Sequence, residues 1–199
     1  MSHGGIEREL KFADVDAEHV RRRLAEMDAE RQGPPAFEDN WIFDTGGELE
    51  ESGSLLRLRI DRRGARITFK GPASYEGRVK VRQEIETGVE RVEAMRSILE
   101  ALGYRLVRRY QKYREEWLLG SAVVSLDHTP IGDFVELEGE GCERFAERLG
   151  LDLESSERRN YLRLYADYLR ENPDAPKDMI FPDRTQGDGE GAADRGSAA

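Results

Sequence analysis

Ile6-Glu7-Arg8-Glu9-Leu10-Lys11-Phe12 carries the pattern from which the architecture of this chain can be read. Successive side chains of an extended strand point to opposite faces, so Glu7, Glu9 and Lys11 share one side while Ile6, Leu10 and Phe12 share the other. The two carboxylates lie about 7 Å apart along their face, which is repulsive unless a cation sits between them; the lysine beyond them points to an anion beside that cation. The combination reads as metal plus phosphate. A solvated face on an ordinary amphipathic strand gives the same alternation, and this segment alone does not separate the two.

The same device recurs outward along the chain. Residues 54–61 place Leu56, Leu58 and Ile60 opposite Arg57 and Arg59. Arg62-Arg63-Gly64 turns this run into 65–70, where Ile67 and Phe69 oppose Arg66, Thr68 and Lys70, so the pair reads as a hairpin. After Gly71-Pro72, residues 78–87 alternate Val79, Val81 and Ile85 with Arg78, Lys80, Arg82, Glu84 and Glu86. A long strand over 105–119 gives Lys112 and Arg114 one parity, and Gly120-Ser121 turns it into 122–127, with Val124 and Leu126 opposite Ser125 and Asp127. Residues 134–139 set Val135 and Leu137 against Glu136 and Glu138, and 37–44 is a further strand with Trp41 and Phe43 among its bulky residues. Helical spacing appears in Val20, Leu24 and Met27 behind a cap at Asp14 or Asp16. It returns in Val92, Met95, Ile98, Leu99 and Leu102 up to Gly103, in Phe145 and Leu149, and in Tyr161, Leu164, Tyr165 and Tyr168.

Each strand is thus charged on one face and apolar on the other, and each helix has one apolar stripe. The helices are expected to cover the apolar outside of the sheet, leaving the charged faces to point at one another across a closed barrel with a wet lumen. An open sheet with water in front predicts mixed signs along each strand, because like charges on one face destabilise it. Here acids follow acids and bases follow bases, the sorting expected where divalent cations take the carboxylates and phosphate oxygens take the arginines and lysines.

With 31 Lys plus Arg against 41 Asp plus Glu, the 199-residue chain has a net charge of -10, which argues against a general nucleic-acid or anionic-membrane binder. Any basic site must be local and enclosed. The single cysteine, Cys142, excludes an internal disulfide framework and is expected to pack as a small apolar residue. No apolar run approaches the roughly 20 residues that span a bilayer, so a soluble cytoplasmic protein is expected. Residues 1–170 read as one domain. Residues 171–199 hold seven acids and three bases without periodicity, and are expected to form a disordered acidic tail in which Met179-Ile180-Phe181 docks locally.

The ordered set of motifs resembles a known family. Ile-Glu-Arg-Glu-Leu-Lys-Phe looks like the E-x-E-x-K signature of the CYTH superfamily, the triphosphate tunnel metalloenzymes. That superfamily includes class IV adenylate cyclases, thiamine triphosphatases and inorganic tripolyphosphatases. Leu-Arg-Leu-Arg at 56–59, Thr-Phe-Lys-Gly-Pro at 68–72, Lys-Tyr-Arg at 112–114 and the block at 126–138 resemble further family motifs, covering residues 6 to 169. The resemblance implies an α+β fold, a closed eight-stranded antiparallel β-barrel tunnel with helices outside. It implies that Glu7, Glu9, Glu136 and Glu138, with Asp127, bind Mg²⁺ or Mn²⁺. It also implies that Lys11, Arg57, Arg59, Lys70, Lys112, Arg114 and Arg159, or equally its neighbour Arg158, bind the triphosphate, with Lys11, Arg57, Lys70 and Arg114 acting in catalysis. Arg82 and Glu84 read equally well as a lumen ion pair. The implied reaction is metal-assisted attack on a small-molecule triphosphate: water is the nucleophile in a triphosphatase, a ribose hydroxyl in a class IV cyclase. Some such cyclases carry a His-Phe pair before the first strand, whereas His3 here is followed by Gly4-Gly5, so the balance falls on a hydrolase. A silent polyphosphate or nucleotide binder would dispense with one carboxylate pair, and both are present.

Overall fold

The alternation at both ends of the chain gives every long strand two partners. A computed structural model describes residues 5–182. Its strands are β1 (Gly5–Ala13), β2 (Glu30–Arg31), β3 (Ala36–Asp44), β4 (Leu55–Asp61), β5 (Gly64–Lys70), β6 (Ser74–Glu76), β7 (Val79–Val89), β8 (Arg105–Leu119), β9 (Ala122–Thr129) and β10 (Gly132–Glu138). Eight of them run in the order β1-β10-β9-β8-β3-β4-β5-β7, and β7 returns to β1 in the register Glu7↔Arg82 and Glu9↔Lys80, closing an antiparallel barrel. The short β2 and β6 pair with β8 and β7 outside this ring. Neither was anticipated, since two or three residues are too few to show a period.

The helices are α1 (Ala17–Glu26), α2 (Glu48–Glu51), α3 (Val92–Ala101), α4 (Cys142–Arg148) and α5 (Tyr161–Glu171). Asp16 caps α1 by accepting from His19 N at 3.0 Å, and Asn160 caps α5 by accepting from Arg163 N at 2.9 Å. β7 continues pairing with β5 as far as Val89, and the third helix begins at Val92, the first residue of its apolar stripe.

Burial is inside out, as the parity predicts. The core outside the barrel wall forms two patches: Leu10, Phe12, Val124 and Leu137 pack under Val20 and Leu24 of α1 and Phe145 of α4, and Phe43 and Leu58 pack under Leu99 of α3. A third patch, Ile42, Tyr110 and Phe134 with Tyr161 and Tyr165 of α5, lies on the lumen parity. Cys142 is a fully buried member of the first patch, where burial raises its thiol to about 12.

The segment after α5 docks where the apolar trio at 179–181 was expected to. Residues that follow α5 lie against the wall: Met179 is buried, its N–H donates to Arg109 O at 3.1 Å, and Gln111 N donates to Met179 O at 2.8 Å. The rest of the expected tail, from residue 183, lies outside the described residues, as does His3. No helix among the described residues is long and apolar enough to cross a membrane.

Candidate active site in the barrel lumen

Strand parity delivers the charged faces of β1, β4, β5, β7, β8 and β10 to a single cavity of about 370 Å³. Ten of its lining residues are basic and seven are acidic, so the lumen carries a cationic surplus inside a chain whose net charge is -10. Glu7, Glu9, Lys11, Arg57, Arg59, Lys70, Lys112, Arg114, Glu136 and Glu138, all singled out from sequence, line it together. Arg66, Lys80, Glu86 and Tyr110 line it too. Arg66, Lys80 and Glu86 had the right parity but no matching motif, whereas Tyr110 sits in a run read only for Lys112 and Arg114.

The signs are arranged differently from expectation. Acids follow acids along a strand, but across strands several acids face a base: Lys11↔Glu136, Glu7↔Arg82, Glu9↔Lys80 and Lys70↔Glu84 are register partners, while Glu9 also faces Glu138 and Arg59 faces Arg66. The side chains pair accordingly. Lys70 Nζ lies 2.5 Å from Glu7 and 2.7 Å from Glu84, Lys80 Nζ is 2.6 Å from Glu9, and Lys11 Nζ is 3.2 Å from Glu136. Register is invisible in a single strand, so sorting along strands did not by itself require bound ions. Arg82 is not paired with Glu84; its Nε and Nη2 donate to Gly71 O at 3.0 and 2.7 Å, fastening the Gly71-Pro72 turn to the wall.

What this pairing leaves over marks the ligand site. Arg57 is buried, and among the described residues its Nε has no partner and its nearest carboxylate, Glu86, is 3.9 Å away. Arg59 bonds Asn40 Oδ1 at 2.9 Å and Glu38 at 3.2 Å, and burial together with the charge of Arg57 pulls its guanidinium below the usual range. Among the carboxylates, Glu7 Oε2 is buried without a partner, and burial with Glu9 and Glu84 nearby raises Glu7 to about 7 against the pull of Lys70. Glu138 has no ion-pair partner among the described residues, and its carboxyl is raised by desolvation and by Glu84 and Glu9. Glu9 is held down to about 2, because Lys80, Lys11 and Lys70 outweigh its burial.

Two expected site residues stand elsewhere. Asp127 does not reach the cavity; its side chain is fully buried behind the lining, where it accepts from Lys112 Nζ at 2.8 Å, from Arg114 Nε and Nη2 at 2.7 and 2.6 Å, and from Tyr161 Oη at 2.7 Å. With its oxygens so occupied it anchors the cations of this wall. Arg159 is half exposed and turned outward to Glu157 and Asp167; only its backbone reaches the lumen residues, accepting from Lys11 Nζ at 3.4 Å. Lys112 lines the cavity, but Asp127 and, at 3.7 Å, Glu38 engage it.

Among the described residues no three carboxylates converge tightly enough to cage a metal ion. A hard cation such as Mg²⁺ does not need such a cage when one or two carboxylates and substrate phosphates share it. Glu7, with one carboxylate oxygen left without a partner, and Glu138, with no ion-pair partner among the described residues, are hard oxygen donors lining the same cavity, so the residues present fit such an ion.

The CYTH domain family model matches residues 5–161. The chain is 30% identical over 134 residues to a Methanocaldococcus jannaschii protein provisionally named an adenylate cyclase, an overlap of 67% of this chain and 76% of that one. Its fold resembles that of a Vibrio parahaemolyticus protein, also provisionally named an adenylate cyclase, with a TM-score of 0.71 and 21% identity over 82% of this chain and 99% of the other. A Hippeastrum protein, provisionally named an adenylyl cyclase and described as revealing a dominant triphosphatase activity, aligns with a TM-score of 0.58 and 14% identity over 84% of this chain and 96% of that one. The identities of these two structures bear on fold alone. With a family match over most of its length and a barrel whose charged faces point inward, this chain belongs to the CYTH domain family.

Proposed function

We propose that this chain is a divalent-metal-dependent triphosphatase of the cytoplasm whose preferred substrate is inorganic tripolyphosphate. The observation that carries the choice is the composition of the lumen wall. Among the described residues its aliphatic members are Leu55 and Leu162, and of its two aromatic rings Tyr161 already holds lysines on its ring and Asp127 on its hydroxyl, while Tyr110 is buried against Arg57. A nucleoside or thiazole needs a free apolar or aromatic face, and this wall offers phosphate ligands instead.

In this reading Arg57 and Arg59 fork around non-bridging phosphate oxygens while Lys11, Lys70 and Arg114 take the neighbouring ones. Glu7, Glu9, Glu136 and Glu138 would hold Mg²⁺ or Mn²⁺, which supplies Lewis-acid withdrawal of charge from the phosphate. Lys70 and Lys80 exchange their carboxylate partners for phosphate on binding, freeing Glu7 and Glu9 for that role. The burial of Lys11, Arg57 and Arg59 limits the screening of these contacts by bulk water.

The name of the 30% identical relative favours a second reading, cyclisation of ATP. One assay divides them: purified protein with Mg²⁺ or Mn²⁺ is given tripolyphosphate, thiamine triphosphate or ATP, and orthophosphate, pyrophosphate and cyclic AMP are scored separately. Orthophosphate, formed fastest from tripolyphosphate, is the expected result. Cyclic AMP with pyrophosphate from ATP would replace it with the cyclase, and binding without turnover would leave a silent polyphosphate module.

A further inference from the structure

We infer that Tyr161, the first residue of α5, is a positioning residue that holds one cationic wall of the lumen in its anion-receiving arrangement. This rests on the reading of the lumen as a polyphosphate site. Tyr161 Oη donates to Asp127 Oδ2 at 2.7 Å. The same carboxylate accepts from Lys112 Nζ at 2.8 Å and from Arg114 Nε and Nη2 at 2.7 and 2.6 Å. The ring of Tyr161 carries Lys11 Nζ 4.2 Å and Lys112 Nζ 4.9 Å from its centroid, within the range where an electron-rich ring attracts a cation. Lys11 of β1 and Lys112 of β8 therefore meet on the ring of Tyr161, and Arg114 of β8 joins them through Asp127.

Like charges this close repel one another in a poorly solvated wall, and they keep a common direction only if something fixed opposes them. Tyr161 supplies that support twice, through its ring and through Asp127. It is not itself free to bind substrate: its hydroxyl is committed to Asp127, and burial, with Asp127 and Glu136 nearby, holds the phenol well above its usual range, so it remains a donor. The competing account is plain packing, because the ring also lies 5.1 Å from that of Phe134 in a T-shaped pair and 5.9 Å from that of Tyr110. Packing is indifferent to the hydroxyl. Positioning is not.

Three variants separate these accounts. Tyr161→Phe keeps the ring and removes the donor, Tyr161→Leu removes both, and Phe134→Leu loosens the same packing without touching a lumen charge. Tripolyphosphate affinity is measured by calorimetry without divalent metal, and kcat and KM are measured with Mg²⁺, both at a temperature where circular dichroism shows each variant folded. Tyr161→Phe is expected to lower affinity and kcat/KM by about 10-fold and Tyr161→Leu by about 100-fold, the range carried by hydrogen bonds to charged groups. Phe134→Leu is expected to melt earlier with affinity and kcat/KM within about twofold of wild type. Tyr161→Phe, which loses a single oxygen, keeps the test open should Tyr161→Leu not fold. Wild-type values in Tyr161→Phe, or equal losses in Tyr161→Phe and Phe134→Leu, overturn the positioning role alone. A wild-type protein that does not bind tripolyphosphate overturns the polyphosphate reading and the role with it.

Discussion

Glu38 lies on β3 in a run whose bulky neighbours hid it, yet it is buried among the cations, 3.2 Å from Arg59 and 3.7 Å from Lys112. Burial opposes its charge, but Lys112 and Arg59 prevail and hold the carboxyl at about 2 against an ordinary value of 4.5. A carboxylate whose folded pKa is depressed contributes stability in full above its unfolded value, and loses it as pH falls through the folded value. The window therefore runs from pH 4.5 down to about 2, and the shift corresponds to about 3 kcal/mol. Glu38→Gln should lose about that much at neutral pH and show a flatter pH dependence inside the window, read from urea midpoints; a dependence parallel to wild type would count against the assignment. Glu9 gives a second residue-scale test. Read from the strand alone, Glu7 and Glu9 repel, so neutralising Glu9 ought to stabilise the metal-free protein. In the barrel Glu9 holds Lys80 at 2.6 Å, so Glu9→Gln should instead cost about 1–3 kcal/mol as well as abolish metal-dependent turnover. A higher melting temperature without metal would contradict this pairing, and full turnover at millimolar Mg²⁺ would contradict the metal role.

At the scale of elements, strands and helices were legible because their periods differ, and misplacements came where a segment has no period. The clearest case is the stretch after α5. The wall strand β8 outreaches its neighbour: β9 pairs only Tyr113 to Leu119, which leaves the backbone edge at Arg109 to Gln111 open. Residues 178–179 fill that edge, Asp178 accepting from Arg109 N at 2.8 Å and Met179 bonding on both sides. Tyr165 Oη ties the same segment to α5 through Pro176 O at 2.6 Å. One buried methionine and four backbone-level bonds leave no amphipathic signature, so only the apolar trio at 179–181 hinted at docking. Met179 is 1% exposed, so Met179→Ala should cost about 2–4 kcal/mol, and removing residues 173–199 at least as much. A melting temperature unchanged by that deletion would show that the segment does not brace α5.

At the scale of the molecule, the one-sided charge of six strands pointed to a closed barrel, in which the charged faces meet while helices cover the apolar ones. The partners across the lumen were not legible: register decides that Lys80 meets Glu9 and Lys70 meets Glu7 and Glu84, and no single strand encodes it. Nor was the difference between lining and supporting charge, which places Asp127 behind the wall and Arg159 outside it. What remains after these pairings is a cationic surplus around Arg57, and the account stands or falls on its binding a polyanion. Melting is measured without divalent metal in tripolyphosphate and in orthophosphate at matched ionic strength, for wild type and Arg57→Ala. At about 100 times its dissociation constant a ligand adds about 2.7 kcal/mol, so tripolyphosphate should raise the melting temperature well beyond orthophosphate, and Arg57→Ala should shrink the gain. Equal shifts from both anions, insensitive to Arg57, would contradict it.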